Sequence, residues 1–335
     1  MFSNKTILIT GGTGSFGQKF VEVILKKYKP KKIIIYSRDE LKQFHMQEKF
    51  KDNKNLRFFI GDVRDEKRLT LAMENVDFVV HSAALKHVPI IEYNPIEAIQ
   101  TNVLGSQNVI TAAIKSGVKK ILALSTDKAA APINLYGATK LASDKLFISA
   151  NNLVGRRNTK FSVVRYGNVM GSRGSVIPHF INCKNKGFMP VTHPDMTRFN
   201  ITLEEGVDFV IKSFSRMYGG ELFIPKIPSY KVVDVAKAVS AKDKIKIVGI
   251  RPGEKIHEEM ITTSDSLNTI EFKDYFAIIS DARFGPMSKK DHIQKLKKMG
   301  GKITKKEFNY SSENNGNFLS IKQLQNLIKK NVAEW

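Results

Sequence analysis

Thr6-Ile-Leu-Ile-Thr-Gly-Gly-Thr-Gly-Ser-Phe-Gly17 decides the fold. Thr6–Thr10 is a strand-sized apolar run, and glycines follow at 11, 14 and 17, where the chain must leave a strand and enter a helix. Glycine permits a tight turn and close backbone approach, and the free N–H groups and dipole of the helix N-terminus attract a pyrophosphate. Gly11, Thr13, Gly14, Ser15, Phe16 and Gly17 are therefore the expected contacts on the phosphate side of a bound dinucleotide. The spacing is G-x-x-G-x-x-G rather than the commoner G-x-G-x-x-G.

Outward from this turn, strand-like and helix-like segments alternate. The pattern predicts strands at 6–10, 32–36, 56–61, 78–81 and 121–125, and helices over 16–27, 39–50, 69–74 and 96–116. Short apolar strands separated by amphipathic helices imply an α/β fold with a doubly wound parallel sheet of Rossmann type, covered on both faces. After Tyr166 the pattern loosens, with loop signals at 171–174 and 190–194, a helix from about Leu203 and a strand at 221–224. Residues 1–166 are expected to form the dinucleotide-binding domain, with 200–226 returning to it. Residues 167–199 and 227–335 are expected to form a smaller substrate-binding domain. No internal repeat is present, and only 311–317 is compositionally biased.

Composition narrows the function. The 335 residues are 42% hydrophobic, ample for a packed core, which excludes disorder and fibrous repeats. Cys183 is the only cysteine, so no intrachain disulfide forms and one thiol cannot build a zinc or iron–sulfur site; no metal is expected. The N-terminus lacks a secretory pattern and the apolar runs are far too short for a membrane span, so a cytoplasmic protein is expected. The net charge is +22, from 54 Lys+Arg against 32 Asp+Glu. The densest basic cluster, Lys289, Lys290, Lys295, Lys297, Lys298, Lys302, Lys305 and Lys306, lacks interleaved aromatics and reads as a solvated face, not a nucleic-acid site.

The second strand ends Tyr36-Ser37-Arg38-Asp39, where a residue that reads the adenosine ribose is expected. Arg38, with Ser37 and Lys42, favours the 2′-phosphate of NADP, because guanidinium pairs with phosphate. Asp39 argues for NAD unless it caps the following helix. Asp62 and Val63 would lie by the adenine, and Ala83 and Ala84 would let the backbone approach the cofactor or simply pack. The strand 121–125 runs through Thr126 into Asp127-Lys128, and after Pro132 a helix opens with Tyr136 and Lys140. Four residues apart, these share one helical face, and an ammonium there favours the phenolate. Such a pair can take a proton from a sugar hydroxyl while hydride leaves the same carbon.

These segments carry a resemblance to a known family. Thr10-Gly-Gly-Thr-Gly-Ser-Phe-Gly17, Tyr36-Ser-Arg-Asp-Glu-Leu-Lys42, Ala83-Ala-Leu-Lys-His-Val-Pro89, Leu124-Ser-Thr-Asp-Lys-Ala129, Asn134-Leu-Tyr-Gly-Ala-Thr-Lys140 and Arg251-Pro-Gly-Glu-Lys255 span nearly the whole chain. Together they resemble the extended short-chain dehydrogenase/reductases, and specifically the inverting UDP-N-acetylglucosamine 4,6-dehydratases that begin pseudaminic acid synthesis. The resemblance implies NADP that takes hydride from C4 of the sugar and returns it to C6, with loss of water between. It implies Lys128 as the C5 base and Asp127 as the acid at the departing C6 oxygen, where retaining relatives have Asp-Glu. Lysine acts as a base only when part of it is neutral, which demands burial or a nearby positive charge. Tyr136, in place of a methionine found in another branch, implies the L-arabino 4-keto product.

The resemblance also implies UDP contacts at Asn168, Arg198, Arg251 and Glu254, and Arg173 offers a further forked donor in a Gly-Ser-Arg-Gly-Ser loop. Lys86 could contact cofactor or sugar, His87 reads as a packed histidine, and Asn102 is expected to tie backbone segments together. Related enzymes form homo-oligomers, often hexamers. Competing readings are a retaining dehydratase, a UDP-hexosamine 4-epimerase, which needs no proton relay to C5 and C6, and a non-catalytic NADP-binding sensor. Asp127-Lys128 argues against the epimerase and the intact Tyr136/Lys140 pair against the sensor.

Overall fold

The computed structural model describes residues 1–172, 174–184, 186–279, 287–304 and 307–332. Its centre is a sheet whose strands include β1 (Thr6–Thr10), β2 (Lys32–Ser37), β3 (Leu56–Ile60), β4 (Phe78–His81), β5 (Lys120–Thr126) and β6 (Lys160–Tyr166). They lie in the order β6-β5-β4-β1-β2-β3, all parallel. The order reverses between β1 and β4, so a crevice opens at the carboxyl ends of these two strands, where doubly wound sheets bind ligands. Every side chain of β1 is buried, as a strand covered on both faces requires. Helix α1 (Ser15–Lys27) packs Phe20, Val21, Val23 and Ile24 against the sheet.

Beyond β6 the sheet continues with Glu221–Pro225 in parallel, then Tyr275–Ile279, Thr269–Glu271 and Lys302–Ile303 in antiparallel. The helix Leu203–Arg216 opens with a capping box between Thr202 and Glu205 and packs beside α1. Within 200–226 the strand Glu221–Pro225 joins the main sheet, while Thr197–Ile201 pairs in a separate three-stranded sheet. The expected assignment of all of 227–335 to a second domain needs correction, since three of its segments extend the main sheet. Their apolar residues Ile270, Tyr275, Phe276, Ala277 and Ile279 join the main core, which sequence separation hid. A second core gathers Met170, Ile177, Phe180, Met189, Tyr230, Val235, Leu324 and Ile328.

One expected helix is broken. The span 96–116 divides into Pro95–Ala98, a π-helical turn at Ile99–Leu104 and a regular helix at Gly105–Lys115. The wide turn coincides with two side chains that bond backbone. The Asn102 amide bridges the N–H and carbonyl of Leu85 at 2.8 and 3.0 Å, and Ser106 Oγ donates to the Asn102 carbonyl at 2.6 Å. The Asn102 expectation holds, and it fastens the segment after β4 to the helix behind it.

No helix among the described residues is long and apolar enough to cross a membrane. The basic helix Lys289–Lys298 buries only His292 and Leu296, with His292 Nε2 2.8 Å from Glu221 Oε1. Lys305 and Lys306 lie outside the described residues.

Candidate active site

A cavity of about 680 Å³ lies over the carboxyl ends of β1, β2, β4, β5 and β6. At one end is the glycine turn. Gly11 has φ +65°, and a Cβ on it would stand 2.9 Å from the backbone of Ala83. The turn and the Ala83-Ala84 segment therefore make a backbone-walled slot that only small residues allow. Thr13, Gly14, Ser15 and Phe16 line the slot, whereas Gly17 does not. A Cβ on Gly17 would fall 2.2 Å from the Gly12 carbonyl oxygen, so this glycine serves helix–turn packing.

At the end of β2, Thr13 and Ser37 share a hydroxyl hydrogen bond of 2.8 Å. Arg38 is half exposed, 3.4 Å from Asp62. Asp39 caps the helix Glu40–Lys49, accepting from the Lys42 backbone N–H at 2.9 Å and pairing with the Lys42 ammonium. The capping alternative for Asp39 is the one observed. Ser37, Arg38, Lys42, Asp62, Val63, Ala83, Ala84 and Lys86 all line the cavity.

At the other end β5 stops at Thr126 and Asp127–Ala129 forms a single tight turn, so Asp127 and Lys128 escape the alternation of a strand and both line the cavity. The helix Leu135–Ser149 sets Tyr136 and Lys140 beside them. Its cap, Asn134, accepts from the Gly137 N–H and donates to the Gly253 carbonyl, both at 2.8 Å. That bond ties the 251–254 loop to the site.

The electrostatics differ from expectation in two ways. Burial pushes the Tyr136 phenol up to about 12, against the lowering effects of Lys128 and a hydrogen bond with Thr126. The Lys140 ammonium instead donates to the Leu124 carbonyl at 2.7 Å, and burial lowers its pKa. The cation that favours the phenolate is thus Lys128. Second, Lys128 is held by two carboxylates, Asp127 Oδ1 at 3.1 Å and Glu258 Oε1 at 2.9 Å. Burial disfavours its charge, but these carboxylates outweigh burial and raise its pKa, the reverse of the neighbouring positive charge expected for a base. Asp127 is raised by burial and by the Glu258 charge, which suits a proton donor.

Glu258 escaped the sequence reading. It lies 130 positions from Lys128 in a plain Glu-Glu pair, and only tertiary pairing brings it here. His87, expected to be packed, is exposed on the cavity rim, with the position of a Gly174 Cβ 2.7 Å from its ring. Asn168 lines the cavity with its Oδ1 buried and unpartnered among the described residues. Arg198 does not line it; its guanidinium donates to the carbonyls of Thr197, Lys255 and Ile256. Arg251 and Glu254 lie outside the lining, 4.0 Å from each other, and Arg173 lies outside the described residues.

A parallel doubly wound sheet with this glycine turn and a Thr/Tyr/Lys set at its carboxyl edge defines an enzyme of the extended short-chain dehydrogenase/reductase class. The chain belongs to the polysaccharide biosynthesis protein family, whose model matches residues 7–280. It is 56% identical over 330 residues, 98% of each chain, to the UDP-N-acetylglucosamine 4,6-dehydratase (inverting) of Campylobacter jejuni subsp. jejuni serotype O:23/36 (strain 81-176). It is 44% identical over 84% of its length and 85% of the relative to the UDP-glucose 4-epimerase of Rickettsia conorii (strain ATCC VR-613 / Malish 7). Among solved structures, Pen from Bacillus thuringiensis superposes with TM-score 0.88 at 41% identity, covering 98% of both chains.

Proposed function

We propose that the protein is an inverting UDP-N-acetylglucosamine 4,6-dehydratase that recycles NADP internally and releases the L-arabino 4-keto-6-deoxy sugar nucleotide, the first step of pseudaminic acid synthesis. The observation that carries this reading is Asp127-Lys128 at the end of β5, set between Tyr136 and Glu258 in a chain so similar to an enzyme of that name. The slot at Gly11 and Ala83 fits a dinucleotide, because a Cβ would fill it. Thr13, Gly14, Ser15 and Phe16 would hold the pyrophosphate side, and Arg38 with Lys42 the adenosine phosphate. Bound there, NADP supplies the acceptor for the C4 hydride and the donor that returns it to C6.

The chain's own residues move the protons. Tyr136 receives the C4 hydroxyl proton and passes its own to Thr126, whose Oγ1 donates to Asp127 Oδ1 at 3.0 Å. Once C4 is a ketone the C5 proton is acidic, and the fraction of Lys128 that has released its ammonium proton to solvent takes it on Nζ. The C5–H electrons form the C5–C6 double bond as the C6–O bond breaks, and Asp127 gives its proton to the departing oxygen as water. Lys86 and Asn168, which line the cavity, would meet the sugar, and Arg251 and Glu254 on the loop tied to Asn134 would meet the UDP. We assign residues 1–166 with 200–226 to the dinucleotide and 167–199 with 227–335 to the sugar nucleotide, apart from the strands between 269 and 303 that extend the main sheet. Exposed Ile90, Tyr93, Ile96 and Leu104 support a homo-oligomer, and a sugar-nucleotide substrate and NADP suit a cytoplasmic enzyme.

Incubation with UDP-N-acetylglucosamine, followed by NMR, is expected to show a C6 methyl group. Interconversion at C4 alone would favour the epimerase. The choice of NADP over NAD has its own test. Because the Arg38–Asp62 pair is exposed and weak, Arg38→Ala is expected to leave stability unchanged. Calorimetric titration of the variant should show NADP affinity reduced roughly 10- to 100-fold with NAD affinity little altered; equal losses would refute 2′-phosphate recognition.

A further inference from the structure

Lys128 sits between carboxylates from distant parts of the chain, and one of them has no access to substrate. Glu258 is 2% exposed and does not line the cavity, so its route to the chemistry runs through the Lys128 ammonium 2.9 Å away. Its backbone is clamped. The N–H donates to Ser312 Oγ at 2.9 Å, its carbonyl accepts from the Ser312 N–H at 2.7 Å, and Ser312 Oγ shares a 2.7 Å bond with Thr197 Oγ1. Arg198, fixed on three carbonyls, brings Nε to 3.9 Å from the same Oε1. Glu258 Oε2 is buried without a hydrogen-bond partner among the described residues, a costly arrangement for a group serving packing alone.

We propose that Glu258 is a positioning residue for the elimination: it fixes the Lys128 ammonium beside Asp127 at the cavity wall and sets the pH at which the lysine becomes a base. This rests on the reading of Lys128 as the C5 base. The groups facing Lys128 are Asp127 on its own turn, Glu258 and Lys255 on the 254–261 segment, Arg198 and Tyr230 on neighbouring strands, and Tyr136 on the helix. With Glu258 ionised, two carboxylates balance Lys128 and Arg198. Neutralising it leaves Arg198 uncompensated, so the ammonium sheds its proton more readily.

Glu258→Gln is therefore expected to move the acid limb of the kcat–pH profile down by about one to three units, the effect of one close opposite charge, with KM changed less than threefold. A Gln variant that folds and keeps the wild-type midpoint, or loses kcat without moving it, overturns the proposal. Should Gln prevent folding, Glu258→Asp carries the test, since its shorter arm weakens the pair: a smaller downward shift supports the proposal and none refutes it. NMR titration of protein labelled with 13C at lysine Cε, with the Lys128 signal identified by Lys128→Ala, reads the same shift without turnover. A wild-type enzyme inert on UDP-N-acetylglucosamine would thus overturn the dehydratase reading, while an unmoved Lys128 signal in the variant would overturn the role of Glu258.

Discussion

Lys128→Ala lowers kcat by about 10²- to 10⁴-fold, the range for loss of a general base, and abolishes deuterium uptake at C5 from deuterated water. Lys128 is 24% exposed on the cavity side, while Asp127 and Glu258, which it bridges, are 1% and 2% exposed. Removing the cation leaves two buried carboxylates facing each other, a change that costs about 3–5 kcal/mol when a buried pair is broken. Protonation of one relieves part of this. In the variant, burial and mutual repulsion raise the folded-state pKa of the carboxylates above the unfolded value. Their stability contribution is then fully present at acid pH and lost as pH rises through the folded pKa. Denaturant unfolding should accordingly show the deficit against wild type widening from pH 5 to pH 8. Retention of more than a tenth of the C5 exchange rate would remove Lys128 from the role of base.

Gly137→Ala acts on the same turn from the other side. A Cβ there would lie 2.2 Å from the Lys128 carbonyl oxygen and 3.0 Å from Pro132 Cβ. The backbone that carries Lys128 must move, because neither atom is the end of a flexible side chain. Overpacking of this kind costs about 1–3 kcal/mol, more than the roughly 1 kcal/mol that alanine gains over glycine in a helix. A displacement near 1 Å at the reacting centre costs on the order of 100-fold in rate. The expected result is kcat reduced about 100-fold with the variant still folded, while Gly316→Ala, where a Cβ meets nothing within 4 Å, leaves kcat and stability as they were. Wild-type kcat in Gly137→Ala would show that the turn does not position the lysine.

What was legible in the sequence is what depends on neighbours along the chain. The glycine turn, the cap at Asp39 and the end of β5 at Thr126 are local events, and the residues that enforce them stand within a few positions. Parallel strands buried on both faces announce themselves as apolar runs, so β1 to β5 could be placed, whereas β6 (Lys160–Tyr166) was not. Glu258 could not, because its meaning depends on a lysine 130 residues earlier and on Ser312 in the biased segment 311–317, which proves to be a clamp. The Arg198 guanidinium satisfies carbonyls that only the tertiary fold gathers. The Tyr136–Lys140 spacing correctly placed both groups at one cavity. Spacing cannot report that Lys140 turns to a carbonyl while Lys128 supplies the field at the phenol.

The most direct test of the closed cycle uses UDP-N-acetylglucosamine carrying deuterium at C4, turned over in ordinary water and examined by NMR. The label is expected to reappear in the C6 methyl group of a product with inverted C5, with hydrogen from solvent at C5. Deuterium that remains at C4 in an epimerised sugar, or is lost to solvent, would contradict it.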